Sequence, residues 1–201
     1  SDRYVNRPRE VSKRKINASY IGFVIAPRIN AAGRVTHAFD AVELLLTENK
    51  KDAMRAAFHL CDVNTTRKSL ENVISETVIS EIGQYGEPEH KIIVLSSDEW
   101  QNGVVGIVAS RITEKYGLPV ILVSFEDSIV NGTPAPLDLG KGSCRSIPGF
   151  DIHAALNSCA DLFVRYGGHE LAAGLTIYRK DFDEVRERVS EYADRVFDEE
   201  D

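Results

Sequence analysis

No stretch of this chain approaches the roughly 20 consecutive apolar residues that a membrane-spanning helix requires. The opening residues SDRYVNRPREVSKRK are basic and polar where a secretory signal would be apolar. The cytoplasm is therefore the expected compartment, and no membrane is expected among the partners. Cysteine is scarce. Cys61, Cys144 and Cys159 lie far apart, match no zinc-ligand spacing and cannot all pair, so reduced thiols are expected rather than a disulfide framework. A surplus of positive charge is missing too: the net charge is −7, which excludes the broad basic face that drives non-specific duplex binding. Residues 181–201, with ten acids and three arginines, carry all of that charge, so residues 1–180 are neutral overall and free to build a local basic site.

Proline and glycine are absent from Lys50 to Ile82. Apolar or small residues at Ala53, Ala57, Leu60, Val63, Leu70, Ile74 and Val78 repeat every three to four positions, which predicts one long helix, too long for a compact domain and suited to joining two bodies. Before it, the first fifteen residues lack apolar periodicity and read as an extended start that looks like a cut end, and HAFDAVELLLT reads as a short helix. After it, GEPEH ends the helix and the pattern changes. KIIVLSS and PVILVSF are short β-branched runs flanking the helical GVVGIVASRITEKYG, a strand–helix–strand unit that favours parallel pairing. EDSIVNGTPAPLDLG reads as loop or ragged hairpin, KGSCRSI and LAAGLTIY as further strands, GFDIHAALNSCADLFVRYG as helix, and RKDFDEVRERVSEYADRVF as a closing amphipathic helix. The expected fold is α/β, a small mixed-sheet domain hung on a long connector helix that follows a short helical N-terminal segment. The expected divisions are residues 1–49, 50–86 and 87–201.

Several segments could carry chemistry. GKGSCRSIPGF packs glycines, Lys141, Ser143, Arg145 and Ser146 together, a set that can present backbone N–H groups, hydroxyls and a forked guanidinium to phosphate. It is not a P-loop, because Gly142 follows Lys141 where Ser or Thr is needed. It serves equally as a glycine-rich turn entering a strand. In RYGGHELAAGL, Gly167 and Gly168 are either a helix C-cap or a stretch where a ligand lies flat on the backbone, and His169 is either structural or a phosphate donor and general acid. APRINAAGRV sets Arg28, Asn30 and Arg34 on a small-residue segment suited to clamping phosphates, or to an ordinary charged loop. Asn64 and Arg67 share a face of the long helix. Trp100 and Gln101 stand at a strand-to-helix turn, where the indole is either a stacking platform for a base or a core residue.

Taken in order and spacing, PRINAAGR, LCDVNTTRK, GVVGIVASR, GKGSCRSIPGFDIHAAL and RYGGHELAAGLTI closely resemble the C-terminal half of the RecJ family, single-stranded-DNA-specific exonucleases of the DHH/DHHA1 phosphoesterase superfamily. The resemblance runs from about Ile21 to Ile177. It implies a DHHA1 domain joined by the long helix to a DHH domain whose aspartates and histidines bind two divalent metals, Mn2+ or Mg2+, with single-stranded DNA in the cleft between. This chain has no Asp-His-His; Asp151 with His153 is its nearest pairing, so no metal ligand and no cofactor is expected within it. Gln101 stands where the family commonly has histidine.

The resemblance implies that Ser143 and Arg145 hold a 5′-terminal phosphate, with Ser146 beside them. Arg28 and Arg34 would line the entry, Asn30 would also bind substrate, Asn64 and Arg67 would contact the strand from the helix, and Gly167, Gly168 and His169 would meet the backbone. The implied function is the substrate-binding part of a 5′-to-3′ single-stranded-DNA exonuclease in DNA repair and recombination, inactive without its metal domain, with a helicase or single-strand-binding protein as further partners. The alternatives are the DHHA1 part of a nanoRNase or cyclic-dinucleotide phosphodiesterase, and a non-catalytic nucleic-acid-binding relative.

Overall fold

The computed structural model describes residues 16–84, 90–125, 129–130, 133–134 and 138–198. The expected extended start and the last three acidic residues fall outside them. Helix α1 (Ala18–Tyr20), whose first turn is capped by the Asn17 side chain accepting from Tyr20 N at 2.8 Å, leads through one wide π turn (Ile21–Ile25) directly into α2 (Ala26–Val35). APRINAAGRV is thus helical. Pro27 is tolerated because it sits in the first turn of α2, where the wide turn has already interrupted the regular hydrogen-bond ladder. α3 (Phe39–Leu46) follows, and then α4 (Lys50–Gln84), whose 35 residues extend about 50 Å at 1.5 Å per residue.

The strand–helix–strand unit is present as β1 (Ile93–Ser97), α5 (Asn102–Tyr116) and β2 (Val120–Ser124), with β1 and β2 parallel. The expected ragged hairpin is represented by β3 (Ile129–Val130) and β4 (Thr133–Pro134), antiparallel to each other. β5 (Leu139–Arg145) comes next, then the six-residue α6 (Ile152–Asn157), β6 (Phe163–His169), β7 (Ala172–Tyr178) and α7 (Phe182–Asp198). One correction concerns GFDIHAALNSCADLFVRYG, which is not helical throughout. The helix ends at Asn157, a 3₁₀ turn spans Ala160–Leu162, and the remainder is β6, because pairing with β7, continuous from Arg165 to His169 after an irregularity at Val164, offers a ladder that an isolated helical turn cannot match.

The five-stranded sheet has the order β1-β2-β5-β7-β6, parallel at β1–β2 and antiparallel elsewhere. One face, through Val94, Ile121, Val123, Cys144, Leu175 and Ile177, packs on α6 and α7. The other, through Ile93, Val120 and Leu122, packs on α5, which in turn meets Ile74, Val78 and Ile82 of α4. The first half of α4 carries α2 and α3 over a small cluster of Ala32, Ala41 and Leu60. The long helix therefore ties two packed regions together. On the α5 side the outer strands β7 and β6 are uncovered: along β7, Ala172 and Gly174 are exposed while Ala173, Leu175 and Ile177 are buried. No helix among the described residues is long and apolar enough to cross a membrane.

Candidate nucleic-acid interface

The carboxyl end of α2 abuts the amino end of α5. A Cβ added to Gly103 would stand 2.8 Å from the carbonyl carbon and 2.9 Å from the Cα of Arg34, so only glycine permits this approach. Across the contact, Arg34 Nη1 donates to Gly103 O at 3.0 Å. Beside it opens a groove of about 690 Å³ that gathers Asn30 and Arg34 from α2, Ser143 and Arg145 from β5, and Asn102, Gly103 and Gly106 from α5; α3 closes it with Ala41, Val42 and Leu45. Segments more than a hundred residues apart in sequence thus converge on one space.

Arg145 is aimed by its neighbours. Its Nε donates to Ser110 Oγ at 3.0 Å and its Nη1 to Cys144 O at 2.7 Å, which fixes the plane of the guanidinium. Gly106 leaves room for it: a Cβ there would lie 3.3 Å from Arg145 Nη2 and 3.2 Å from Ser143 Oγ. Neither Arg34 nor Arg145 forms an ion pair among the described residues, so both charges face the groove uncompensated. Two guanidiniums without ion-pair partners among the described residues, a hydroxyl and an amide around a concave space are groups whose chemistry suits a phosphate.

Other expected site residues lie elsewhere. Arg28 is committed to the seam between α2 and α4, where its Nε donates to Cys61 Sγ at 3.3 Å and its Nη1 to Val24 O. Asn64 and Arg67 do share a helix face, but it is the buried one: Asn64 is 4% exposed and accepts from Arg67 Nε at 3.3 Å and Nη2 at 3.2 Å. Arg67 Nη1 bonds Glu71 at 2.8 Å, and Arg111 of α5 reaches the other oxygen of the same 1%-exposed carboxylate at 3.0 Å. Trp100, 2% exposed, belongs to the core under α5 and offers no face to a base. The Ser146 hydroxyl is spent on Phe150 O at 2.6 Å. Gln101 Oε1 is buried with no hydrogen-bond partner among the described residues.

Gly167, Gly168 and His169 lie in strand β6 rather than in a turn. Gly168 is there for the sheet itself: its φ of 153° disfavours other residues, and a Cβ would stand 2.7 Å from Ala173 Cβ. His169 is exposed and pairs across the ladder with Ala172. Asp151 and His153 form a helix cap, with Asp151 Oδ1 accepting from His153 N at 2.9 Å and Ala154 N at 3.0 Å. No group of three or more His, Cys, Asp or Glu among the described residues is arranged to hold a metal ion. Burial pushes the Cys144 thiol up to about 12 and the Cys159 thiol up to about 11, which makes both unreactive. The structure also brings Lys141, Arg165 and Thr176 into one row of the sheet, although Arg165 and Thr176 were not singled out in the sequence and Lys141 was read only within a glycine-rich turn. Their signal was the two-residue alternation along three strands, visible only once the register was known.

A DHHA1 domain model matches residues 89–195, more than half of the chain. The chain belongs to the DHHA1 family. Beyond the matched domain, this DHHA1 chain is similar over nearly its whole length to the single-stranded-DNA-specific exonuclease RecJ of Bacillus subtilis, 34% identical over 185 residues, and of Thermus thermophilus, 39% identical over 178 residues. Those alignments take in 92% and 89% of this chain but 22% and 24% of the relatives, so the chain spans about a quarter of their length. A crystal structure of RecJ in complex with Mg2+ from Thermus thermophilus superposes with a TM-score of 0.77 at 38% identity, covering 89% of this chain and 26% of that one. A structure of exonuclease RecJ bound to manganese gives 0.74 at 38% identity, covering 88% and 41%. The resemblance carried by the motifs is matched by these relatives, and the α/β architecture with a mixed sheet and long helix is theirs as well. None of this favours a dinucleotide phosphodiesterase.

Proposed function

We propose that this DHHA1 chain is the substrate-gripping part of a RecJ-like nuclease that removes nucleotides from the 5′ end of single-stranded DNA. One observation supports the reading above the others. Asn30, Arg34, Ser143 and Arg145, each expected from sequence to meet phosphate, line a single groove with no opposing carboxylate. In this reading Arg145 and Ser143 take the 5′-terminal phosphate and Arg34 closes over it from α2. The groove would fix the position of the end and so the register of the bond to be cut. His169, in the same row of the sheet as Arg145, would donate to a phosphate beside the terminal one. No group of three or more His, Cys, Asp or Glu among the described residues suits a divalent metal, so the metal-assisted cleavage is assigned to a DHH domain of the parent protein, with α4 as the connector between residues 1–49 and the domain that begins near residue 87. The isolated chain would then bind strands without cutting them.

The test is a fluorescence titration with single-stranded oligonucleotides of one sequence, with and without a 5′-phosphate, using the chain and its Arg145→Ala variant. A charge-assisted pair is worth about 1.5–3 kcal/mol, so the phosphate should tighten binding roughly tenfold to a hundredfold and Arg145→Ala should abolish the difference. Equal affinity for both strands, insensitive to Arg145, would overturn the assignment. Chelator-sensitive cleavage by the pure chain would overturn its expected inactivity.

A further inference from the structure

Beyond the terminal-phosphate groove, the open face of the sheet carries a second cationic recess. The register places residues of β5, β7 and β6 in rows on that face: Arg145, Ala172 and His169; then Ser143, Gly174 and Gly167; then Lys141, Thr176 and Arg165. Over the last two rows lies a recess of about 440 Å³ whose polar rim is Lys141, Arg165 and Thr176. Lys141 and Arg165 are exposed and, like Arg145, form no ion pair among the described residues. In a chain of net charge −7, two cations flanking one hydroxyl with no carboxylate beside them are a place for an anion.

The two glycines of the middle row sharpen the point. A Cβ on Gly167 would meet nothing within 4 Å, and one on Gly174 would meet only Gly142 O at an ordinary 3.6 Å. Gly142, facing the core, differs sharply, since a Cβ there would lie 2.7 Å from Leu175 Cγ. The fold therefore does not require glycine at 167 or 174. What their bare backbone keeps clear is the space between the Ser143–Arg145 end and the Lys141–Arg165 end. Successive rows are two residues apart, about 7 Å along a strand, a separation like that of neighbouring phosphates in a stretched single strand.

We infer that Lys141, Arg165 and Thr176 form a second subsite that takes an internal phosphodiester of a single strand whose 5′ phosphate is held at Ser143 and Arg145, with the sugar–phosphate backbone lying over Gly174 and Gly167. The inference rests on the function proposed above and deepens it: the chain reads at least two phosphates, so a mononucleotide is gripped at one end only. A strand stripped to a single nucleotide loses the second hold and leaves.

The experiment uses the same titration with 5′-phosphorylated oligothymidylates of one, two and ten nucleotides, the mononucleotide by competition, across a range of salt. The variants are Lys141→Ala/Arg165→Ala, Gly174→Ala and Gly167→Ala. The double variant should leave mononucleotide affinity unchanged, weaken the ten-mer at least tenfold and lower its salt slope by about 0.7, the value for one phosphate contact fewer on a single strand. Gly174→Ala and Gly167→Ala should keep the melting temperature, because a Cβ at either position meets nothing closer than 3.6 Å, yet weaken the ten-mer more than the mononucleotide. Unchanged ten-mer binding in all of them, with Arg145→Ala still damaging, would sink the second subsite and leave the terminal groove standing. Equal loss for the mononucleotide and the ten-mer would also sink it, since the cations would then act on one common site. A parent chain that binds none of the strands removes the functional reading itself, and the subsite with it.

Discussion

Gly103 is the position where a single methyl group should damage both stability and binding. In Gly103→Ala the new Cβ faces backbone atoms of Arg34, at 2.8 Å from the carbonyl carbon and 2.9 Å from Cα, and no side chain can rotate away to relieve it. The same Cβ would also overlap the Arg34 carbonyl oxygen, and ordinary carbon–oxygen contacts begin near 3.3 Å, so the end of α2 must move off the start of α5 by roughly an ångström, loosening the 3.0 Å bond from Arg34 to Gly103 O. Overpacking of this kind costs about 1–3 kcal/mol, against which alanine returns at most about 1 kcal/mol of helix propensity. With that return taken in full, the net loss of up to about 2 kcal/mol corresponds to a fall in melting temperature of up to about 8 °C for a chain of this size. The binding effect should be larger in proportion. Arg34 and Asn30 stand on the wall that moves, Ser143 and Arg145 on the wall that does not, and displacements of about 1 Å in a positioning site cost up to about a hundredfold. Thermal unfolding and titration with a 5′-phosphorylated oligonucleotide measure the two effects, and Gly83→Ala on α4, where a Cβ meets nothing, is the control. If Gly103→Ala melts and binds like that control, the α2–α5 contact does not shape the groove.

Two further outcomes follow from the packing and the charges. Glu71→Ala removes the buried carboxylate shared by Arg67 and Arg111 across the α4–α5 seam and should destabilise the chain by about 3 kcal/mol, the low end for breaking a buried pair because Arg111 can turn to solvent; a denaturation midpoint unmoved from the parent's would refute it. The Asp194 carboxyl is raised by burial, but hydrogen bonds from Lys91 N and the His90 ring outweigh this and hold it below the usual range. A depressed carboxylate lends stability that is complete above its unfolded pKa, near 3.9, and is lost as pH falls through its lower folded value. Melting curves of Asp194→Asn and the parent should therefore differ at pH 6 and draw together as pH falls below the unfolded pKa near 3.9; a constant gap at all pH values would mean that the contribution is not electrostatic.

The strong local signals were legible. A proline- and glycine-free run from Lys50 to Ile82 could be little other than a long helix, and two β-branched runs about a helix-length apart implied parallel pairing. Two misreadings share one physical origin, namely a competition that local sequence does not decide. Pro27 and Gly33 suggested a loop, yet the run from Ala18 enters α2 through a wide turn that neutralises the proline. Leu162, Phe163, Val164 and Tyr166 suit a helix as well as a strand, and only the ladder offered by β7 chooses. The candidate site divides in the same way. Residues whose chemistry is carried by type and spacing, such as Ser143 and Arg145, were visible. Whether Arg67, Arg28 or Trp100 faces solvent depends on which side of its helix or turn is packed, and that is decided by elements far away in the chain.

The two sides of the sheet also differ in kind. α7, with most of the acids of residues 181–198, covers one side, while Arg145, Lys141 and Arg165 stand unpaired on the other. A polyanion diffusing toward this molecule meets repulsion from behind and attraction in front, so collisions are sorted by orientation before any contact forms. On the proposed function, the acidity that at first sight argues against nucleic acid would act as a guide: it would lower the time a strand spends on the wrong surface, and its effect should fade as salt rises.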